Sequence, residues 1–452
     1  MEKMLRKLEN LIFYTFIFSI PFQTRVVLKS WGIGFNEWNA AFLYWTDLLI
    51  LALLGLWFIK LLLKKSRFVF LKYDWFLIGF IAVSAISIIN ASNPVLGLYQ
   101  FFKLVEFSLL YFYVKSNLGV VFNLTTSFFV FLASGFFQAI LAILQYLRQA
   151  DLGLRFLGET VLNPDLFNVA VFLVNGEKIM RPYGTTPHPN ILALFLFISV
   201  FIYYFFYIKR DKFSHSKSGL LIYSVLLFSL FLTFSRVVIF VWMIGVGLRW
   251  LIFNRKFSRI AEGLSLKKIT VATLTAIIIF SILFWPHILT RIKISSQEEA
   301  VSLRNYYNKV SLYDKLFFGV GSGNFVNWFR EINPGLASNL YQPVHNIYLL
   351  ISSEAGILGL TAFLLFLIFL AKNYFKIKFE QPFYYSLFII FLSLLFFGLF
   401  DHFLFTIQQG RIVFWLVLGL IASIINVPIA QPDRARPSGG RNSRSSRDRD
   451  AL

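Results

Sequence analysis

The feature that most restricts this chain is a run of almost unbroken apolar residues from 218 to 253. As a single α-helix it would be about 54 Å long at roughly 1.5 Å per residue, whereas the hydrocarbon core of a bilayer is only about 30 Å thick. Both flanks are basic, with Lys209-Arg210-Asp211-Lys212 before the run and Asn254-Arg255-Lys256 after it. Short basic loops collect on the cytoplasmic side of a membrane. The run is therefore expected to cross twice, turning near Thr233-Phe234-Ser235-Arg236 and leaving Arg236 at the outer face.

The same reasoning extends along the chain. Apolar segments that can act as spans occur at 9–26, 45–63, 73–90, 95–114, 119–147, 189–208, 218–234, 236–253, 269–288, 346–371, 383–400 and 409–428. The short basic joins, Lys64-Lys65-Ser66-Arg67, Lys267-Lys268 and Lys372 to Lys378 among them, all fall on one side if the N-terminus is cytoplasmic. The expected fold is all-α: a polytopic integral membrane protein of about twelve transmembrane helices, in the cytoplasmic (inner) membrane, with both termini cytoplasmic. The first run follows Met1-Glu2-Lys3-Met4-Leu5-Arg6-Lys7 as a signal peptide would. It ends at Pro21-Phe22-Gln23-Thr24-Arg25 with no small-residue cleavage site, and so reads as an uncleaved span.

Residues 1–430 form one expected transmembrane domain. Two long segments, 148–188 and 289–345, fall outside the membrane on the extracytoplasmic side. The second has apolar residues at helical spacing (Val301, Leu303, Tyr306, Tyr307, Val310, Leu312), which predicts a helix on the membrane surface. The Arg-, Ser-, Gly- and Pro-rich tail 431–452 is expected to be disordered and cytoplasmic. Composition agrees: 58% of residues are hydrophobic and 14% charged, against roughly a quarter charged in soluble proteins. The net charge of +21 follows from basic cytoplasmic loops rather than from a nucleic-acid partner. No cysteine is present, which removes disulfides, thiolate metal sites and a cysteine nucleophile.

Four stretches carry candidate chemistry. Arg181-Pro182-Tyr183-Gly184-Thr185-Thr186-Pro187-His188-Pro189-Asn190 makes an ordered turn in which Asn190 can cap the next helix. Arg181 there either snorkels to the interface or faces an anionic head group. Arg236 is costly within an apolar run unless paired or wetted; it is either an interfacial anchor or a phosphate-binding guanidinium. His345, at a helix entrance, is either structural or a proton-transfer group, with Glu354 about two and a half turns deeper. Gly319-Val320-Gly321-Ser322-Gly323-Asn324-Phe325 is neither a phosphate loop nor a dinucleotide fingerprint, and reads as a turn that fixes loop shape. Arg291 and Arg304 add positive charge to the same outer segment. Lys103 and Glu106 are spaced to neutralise each other, and Asp401, His402 and Arg411 cluster near the last outer turn.

The order and spacing of these motifs resemble the O-antigen ligase/polymerase superfamily of membrane glycosyltransferases. The resemblance covers about 70 to 428. It is sharpest at 181–190, at Leu232-Thr233-Phe234-Ser235-Arg236, at Leu316 to Phe325, and at His345-Asn346-Ile347-Tyr348-Leu349 followed by Glu354-Ala355-Gly356-Ile357-Leu358-Gly359. It implies a glycan donor on undecaprenyl diphosphate. Arg181 and Arg236 match the family's diphosphate-binding arginines, and Arg304 matches less closely. His345 matches the general base, with Asn190, Asn346 and Glu354 as supporting residues. Neither cofactor nor metal is implied. The acceptor, whether lipid A-core, a growing polysaccharide or a protein hydroxyl, stays open, so ligase and polymerase are both compatible. Two rivals lie outside that class: a multi-span transporter or lipid flippase, which should show midplane polar groups and pseudo-symmetry, and a protein that binds anionic lipid through its basic tail.

Overall fold

The computed structural model describes residues 2–31, 35–209, 211–257, 264–292, 299–311, 317–377 and 382–426; the basic tail lies outside the described residues. Helices α1 (Glu2–Ser19), α2 (Trp45–Leu62), α3 (Asp74–Ser87), α4 (Pro94–Asn117) and α5 (Leu124–Arg148) form the first half. They are followed by α6 (Pro189–Ile208), α7 (Lys217–Leu232), α8 (Arg236–Phe257) and α9 (Leu264–Leu283). Three shorter helices, α10 (Trp285–Ile292), α11 (Glu299–Val310) and α12 (Phe325–Ile332), occupy the second long segment. Helix α11 falls where the apolar spacing predicted one, while Leu312 lies outside the described residues. The chain then returns through α13 (Ile347–Phe375), α14 (Pro382–Phe397), α15 (Phe403–Thr406) and α16 (Gln408–Asn426).

Each apolar segment is helical over most of its length, but length and composition separate them. Among the described residues, six helices, α2, α4, α5, α6, α13 and α16, are long and apolar enough to cross a membrane, or seven if the bent pair α9 and α10 is one span. The expected count of about twelve is not confirmed by these lengths. In α1 the charges at Glu2, Lys3, Arg6, Lys7 and Glu9 leave only the second half apolar, and the helix stops at Ser19, ahead of Pro21, rather than reaching 26. Helices α3, α7, α8 up to Leu248, and α14 from Ser386 are short apolar helices. The chain bends by 87° between α9 and α10. Between α7 and α8 it breaks at Thr233–Ser235, where the length argument put the turn.

The structure departs from all-α in two places. Strands β1 (Arg25–Ser30) and β2 (Ala40–Tyr44) pair antiparallel in the first loop. Strands β3 (Val171–Val174) and β4 (Glu177–Met180) form a hairpin within 148–188. The turn of that hairpin is Asn175-Gly176, both at positive φ (51° and 89°). Asn-Gly with both central residues left-handed matches the right-handed twist of paired strands, so the signal was present in the sequence.

Helix α6 is apolar on every side, and nearly all of it is buried. A helix of that kind belongs at the centre of a bundle, and α5, α7, α8 and α14 surround it. Helix α3 lies along α13, and α4 along α16. Several charges inside this bundle are paired. Lys115 meets Asp74 at 2.5 Å with both side chains fully buried, and the Tyr111 hydroxyl donates to the same carboxylate at 2.6 Å. Lys60 meets Glu9 at 2.5 Å. Lys103 does bond Glu106 at 3.1 Å, as its spacing predicts, but sits closer to Asp47 at 2.5 Å.

Candidate active site

The N-terminal ends of α6, α8 and α13 and the α14–α15 turn come together at one end of the bundle. The loop into α6 delivers Arg181. Two glutamines on α5 hold that loop: Gln145 accepts from the Tyr183 and Gly184 amides at 2.9 and 2.7 Å, and Gln138 accepts from the Thr185 amide at 2.9 Å. Gly184 has φ +58°, and a Cβ there would lie 2.3 Å from Gln138 Oε1, so only glycine fits. Below it, Glu159 accepts from the Leu152 and Leu154 amides and from Gln145, closing the segment after α5.

Arg181 is buried, at 7% exposure. Its Nε donates to the Thr233 carbonyl at 2.7 Å and its NH2 to Asn190 Oδ1 at 2.8 Å. The Ser235 hydroxyl also donates to Asn190 Oδ1, at 3.2 Å, while Asn190 Nδ2 donates to Asp401 Oδ2 at 3.2 Å. Asn190 is therefore a connector and not the helix cap expected of it. The cap is His188, whose Nδ1 accepts from the Asn190 amide at 3.1 Å. Proline favours the first helical position, and Pro189 there assigns the cap to the residue before it.

The α7–α8 turn supplies carbonyls. Phe234 holds φ +48°, a left-handed conformation that a bulky residue rarely adopts. This turn points the Thr233 carbonyl at Arg181 and the Phe234 carbonyl at Arg291 NH2, 3.3 Å away. The Phe234 ring is fixed against Phe172 and stacks on His287. Burial, followed by Arg291, Arg236 and Arg304, lowers the Arg181 pKa to about 9, with Tyr183 opposing. Four arginines from three separate segments thus share one electrostatic neighbourhood.

His345 precedes Asn346, which caps α13 by accepting from the Tyr348 and Leu349 amides at 2.9 and 3.1 Å. The His345 ring meets His402 edge to face, centroids 4.9 Å apart, and stacks at 6.2 Å over Tyr307 of α11. Its Nδ1 is buried without a hydrogen-bond partner among the described residues. Burial lowers the His345 pKa below the ordinary imidazole value, Asp401 works against this, and Arg304 reinforces it. His402 and His188 are each pushed down to about 3, in both cases chiefly by burial. Burial tends to raise the Asp401 carboxyl, but His402, His345, Arg304 and His188 outweigh it and hold it below the usual range. The result is one carboxylate among neutral imidazoles and arginines. An anion and a neutral base can be held side by side here.

Glu354 and Arg411 lie elsewhere. Glu354 Oε2 accepts from the Gly323 amide at 2.9 Å, so its partner is the glycine-rich loop. Arg411 separates from Asp401 and His402 and donates to the Phe405 carbonyl at 2.6 Å and to Gln100 Oε1 at 2.8 Å. Conversely, Asp401, His402 and Thr233 belong to the site more closely than their sequence context indicated. The one signal in the sequence was the polar Asp401-His402 pair interrupting two apolar runs.

This is a membrane-spanning helical protein whose bundle gathers arginines around buried imidazoles. Residues 221–364, from α7 into α13, match the family model described as O-Antigen ligase, a match that supports the resemblance to the O-antigen ligase/polymerase superfamily. The matched stretch contains Arg236, Arg304, His345 and Glu354, while Arg181 and Asn190 precede it. No curated protein matches the chain.

Proposed function

We propose that this protein is a membrane glycosyltransferase that moves a glycan from undecaprenyl diphosphate to an acceptor hydroxyl, in the manner of an O-antigen ligase. The observation that carries this reading is the meeting of Arg181, Arg236, Arg291 and Arg304 with His345 and Asp401 at one end of the bundle. Guanidinium groups offer paired donors that match phosphate geometry. His345, neutral at pH 7, takes the proton from the acceptor hydroxyl. The acceptor oxygen then bonds to the anomeric carbon, and the bond from that carbon to the diphosphate oxygen breaks. The electron pair leaves with the lipid diphosphate, whose charge the arginines stabilise. Asp401 steadies the imidazolium that forms. The reading calls for no metal.

A groove of about 390 Å3 between α5, α7 and α9, lined by Ile143, Val225, Phe228, Ala272 and Ile279, suits the polyprenyl chain. Helix α10, which continues α9, carries Arg291. In this reading the basic loops hold both termini in the cytoplasm, and the arginines face the extracytoplasmic side of the inner membrane. Ligase and polymerase differ in the acceptor, and the same groups serve both.

Transfer from purified undecaprenyl-diphosphate glycan tests the reading. His345→Ala and Arg236→Ala are each expected to reduce transfer at least about 100-fold while the protein stays in the membrane. Full activity in either variant overturns that residue's role. Loss of wild-type transfer on adding a chelator overturns the metal-free chemistry.

A further inference from the structure

Behind His402 lies a second chamber, enclosed by β2, α4, α13, α15 and α16. It has a volume of about 70 Å3. One buried water position takes roughly 10–15 Å3, so the chamber has room for a small polar ring. Its walls combine Trp38, Tyr99, Gln100, Glu354, Gln408 and Arg411. Gln408 is fixed by bonds to Thr46 (3.0 Å) and Asp47, and Arg411 by bonds to Gln100 (2.8 Å) and the Phe405 carbonyl (2.6 Å). Glu354, 8% exposed, is held by the Gly323 amide. The polar groups are thus preorganised on rigid helices, among aromatic side chains.

The chamber differs in charge from the arginine cluster. Two carboxylates, Glu37 and Glu354, and one guanidinium, Arg411, line it, so it offers no excess positive charge to a diphosphate. What it offers is a carboxylate that accepts hydroxyl donors, a guanidinium that donates, amides that do both, and flat aromatic faces. That inventory suits a neutral, hydroxyl-rich ring. Its position adds direction. Thr406 is in its wall and bonds His402 Nδ1 at 2.6 Å, and Trp38, also in its wall, meets the His402 ring at 5.0 Å. Pro343, another wall residue, lies two positions from His345.

We propose that this chamber binds the terminal saccharide of the acceptor, the ring whose hydroxyl is glycosylated, and presents it toward His345. This rests on the glycosyltransferase reading above. The arginine cluster and the chamber then divide the substrates by charge: the anionic lipid carrier on one side of the imidazoles, the neutral acceptor sugar on the other.

The test uses the full chain in nanodiscs, with lipid-linked glycan and acceptor extracted from the source cells' own envelope. Both transfer to acceptor and release of glycan to water are recorded. Gln100→Leu and Glu354→Gln are each expected to raise the acceptor KM at least tenfold, leaving the donor KM within twofold and release to water unchanged. Glu354→Gln keeps an acceptor for the Gly323 amide, so it carries the test if Gln100→Leu fails to fold. An unchanged acceptor KM, or an equal rise in donor KM, overturns the proposal. Arg236→Ala serves as the separate control, since it should lose both transfer and release. If it retains both, the donor reading fails, whatever the chamber variants do.

Discussion

At the scale of single residues, the site works by setting protonation states. His345 must be neutral to accept a proton. Burial lowers its pKa below the ordinary imidazole value, so the base form is complete above that lowered value and is lost as pH falls through it. The acid limb of kcat/KM is therefore expected below pH about 6.5, the ordinary imidazole value. Asp401 opposes the lowering. Asp401→Asn should move the acid limb to still lower pH and slow transfer, because the imidazolium loses its partner; a pH–rate profile of the variant checks both. An acid limb that stays in place would mean that Asp401 acts only through its bond from Asn190. Phe234 shows how the backbone enters the same argument. Its left-handed conformation, held by the packed aromatic ring, is what turns two consecutive carbonyls toward Arg181 and Arg291.

At the scale of elements, the kink in α13 organises the loop beneath it. Gly356 sits at φ 69°, ψ −178°, a region essentially confined to glycine. The break frees the carbonyls of Ser353 and Glu354, and the Val320 and Gly321 amides occupy them at 2.8 and 3.0 Å. Backbone groups freed within a membrane helix need such partners. A Cβ at 356 would lie 2.1 Å from the Phe317 carbonyl oxygen. Gly356→Ala should therefore cost at least about 1–3 kcal/mol from backbone strain alone, seen as a lower thermal midpoint in detergent. Gly55 in α2 is the contrasting case, because a Cβ added there would meet nothing within 4 Å. Gly55→Ala should leave the midpoint unchanged or raise it, since alanine favours helix by about 0.5–1 kcal/mol. Equal losses in both variants would show that the kink has no special cost.

At the scale of the whole molecule, the bundle ties Lys115 to Asp74, Lys60 to Glu9 and Lys103 to Asp47 and Glu106, and leaves its cationic cluster at one end. The pair Lys115–Asp74 joins α4 to α3 with both side chains fully buried. Removing one partner strands the other, at a cost of about 3–5 kcal/mol. Lys115→Met should lower folded yield and thermal midpoint sharply, and Lys115→Met with Asp74→Leu should recover much of the loss. Failure of the double variant to recover would show that the charges themselves are needed. The paired state of Lys103, Asp47 and Glu106 also bears on the transporter alternative. Those groups are deep in the bundle but are tied to one another, Lys103 lying between the two carboxylates, and the arginines gather at its end.

Hydropathy and the spacing of basic loops were enough to locate the apolar helices and the break at Thr233–Ser235, because both follow from the bilayer's fixed thickness and from the cost of burying charge. The number of helices able to span was not legible in the same way: it depends on where each helix ends, and the short helices α3, α7 and α14 and the 87° bend show those ends only in the structure. Local turn chemistry was readable where it is short-range, as in Asn175-Gly176 and in Pro189 assigning the cap to His188. The site itself was legible as types of residue, since an arginine or histidine at an apolar boundary stands out. Which of them meet was decided only by tertiary structure. Asn190 and Asp401 are 211 residues apart and bond directly, whereas Glu354, nine positions from His345, turns to Gly323 instead. No local rule carries information over such separations, because the contacts are set by how helices pack around α6.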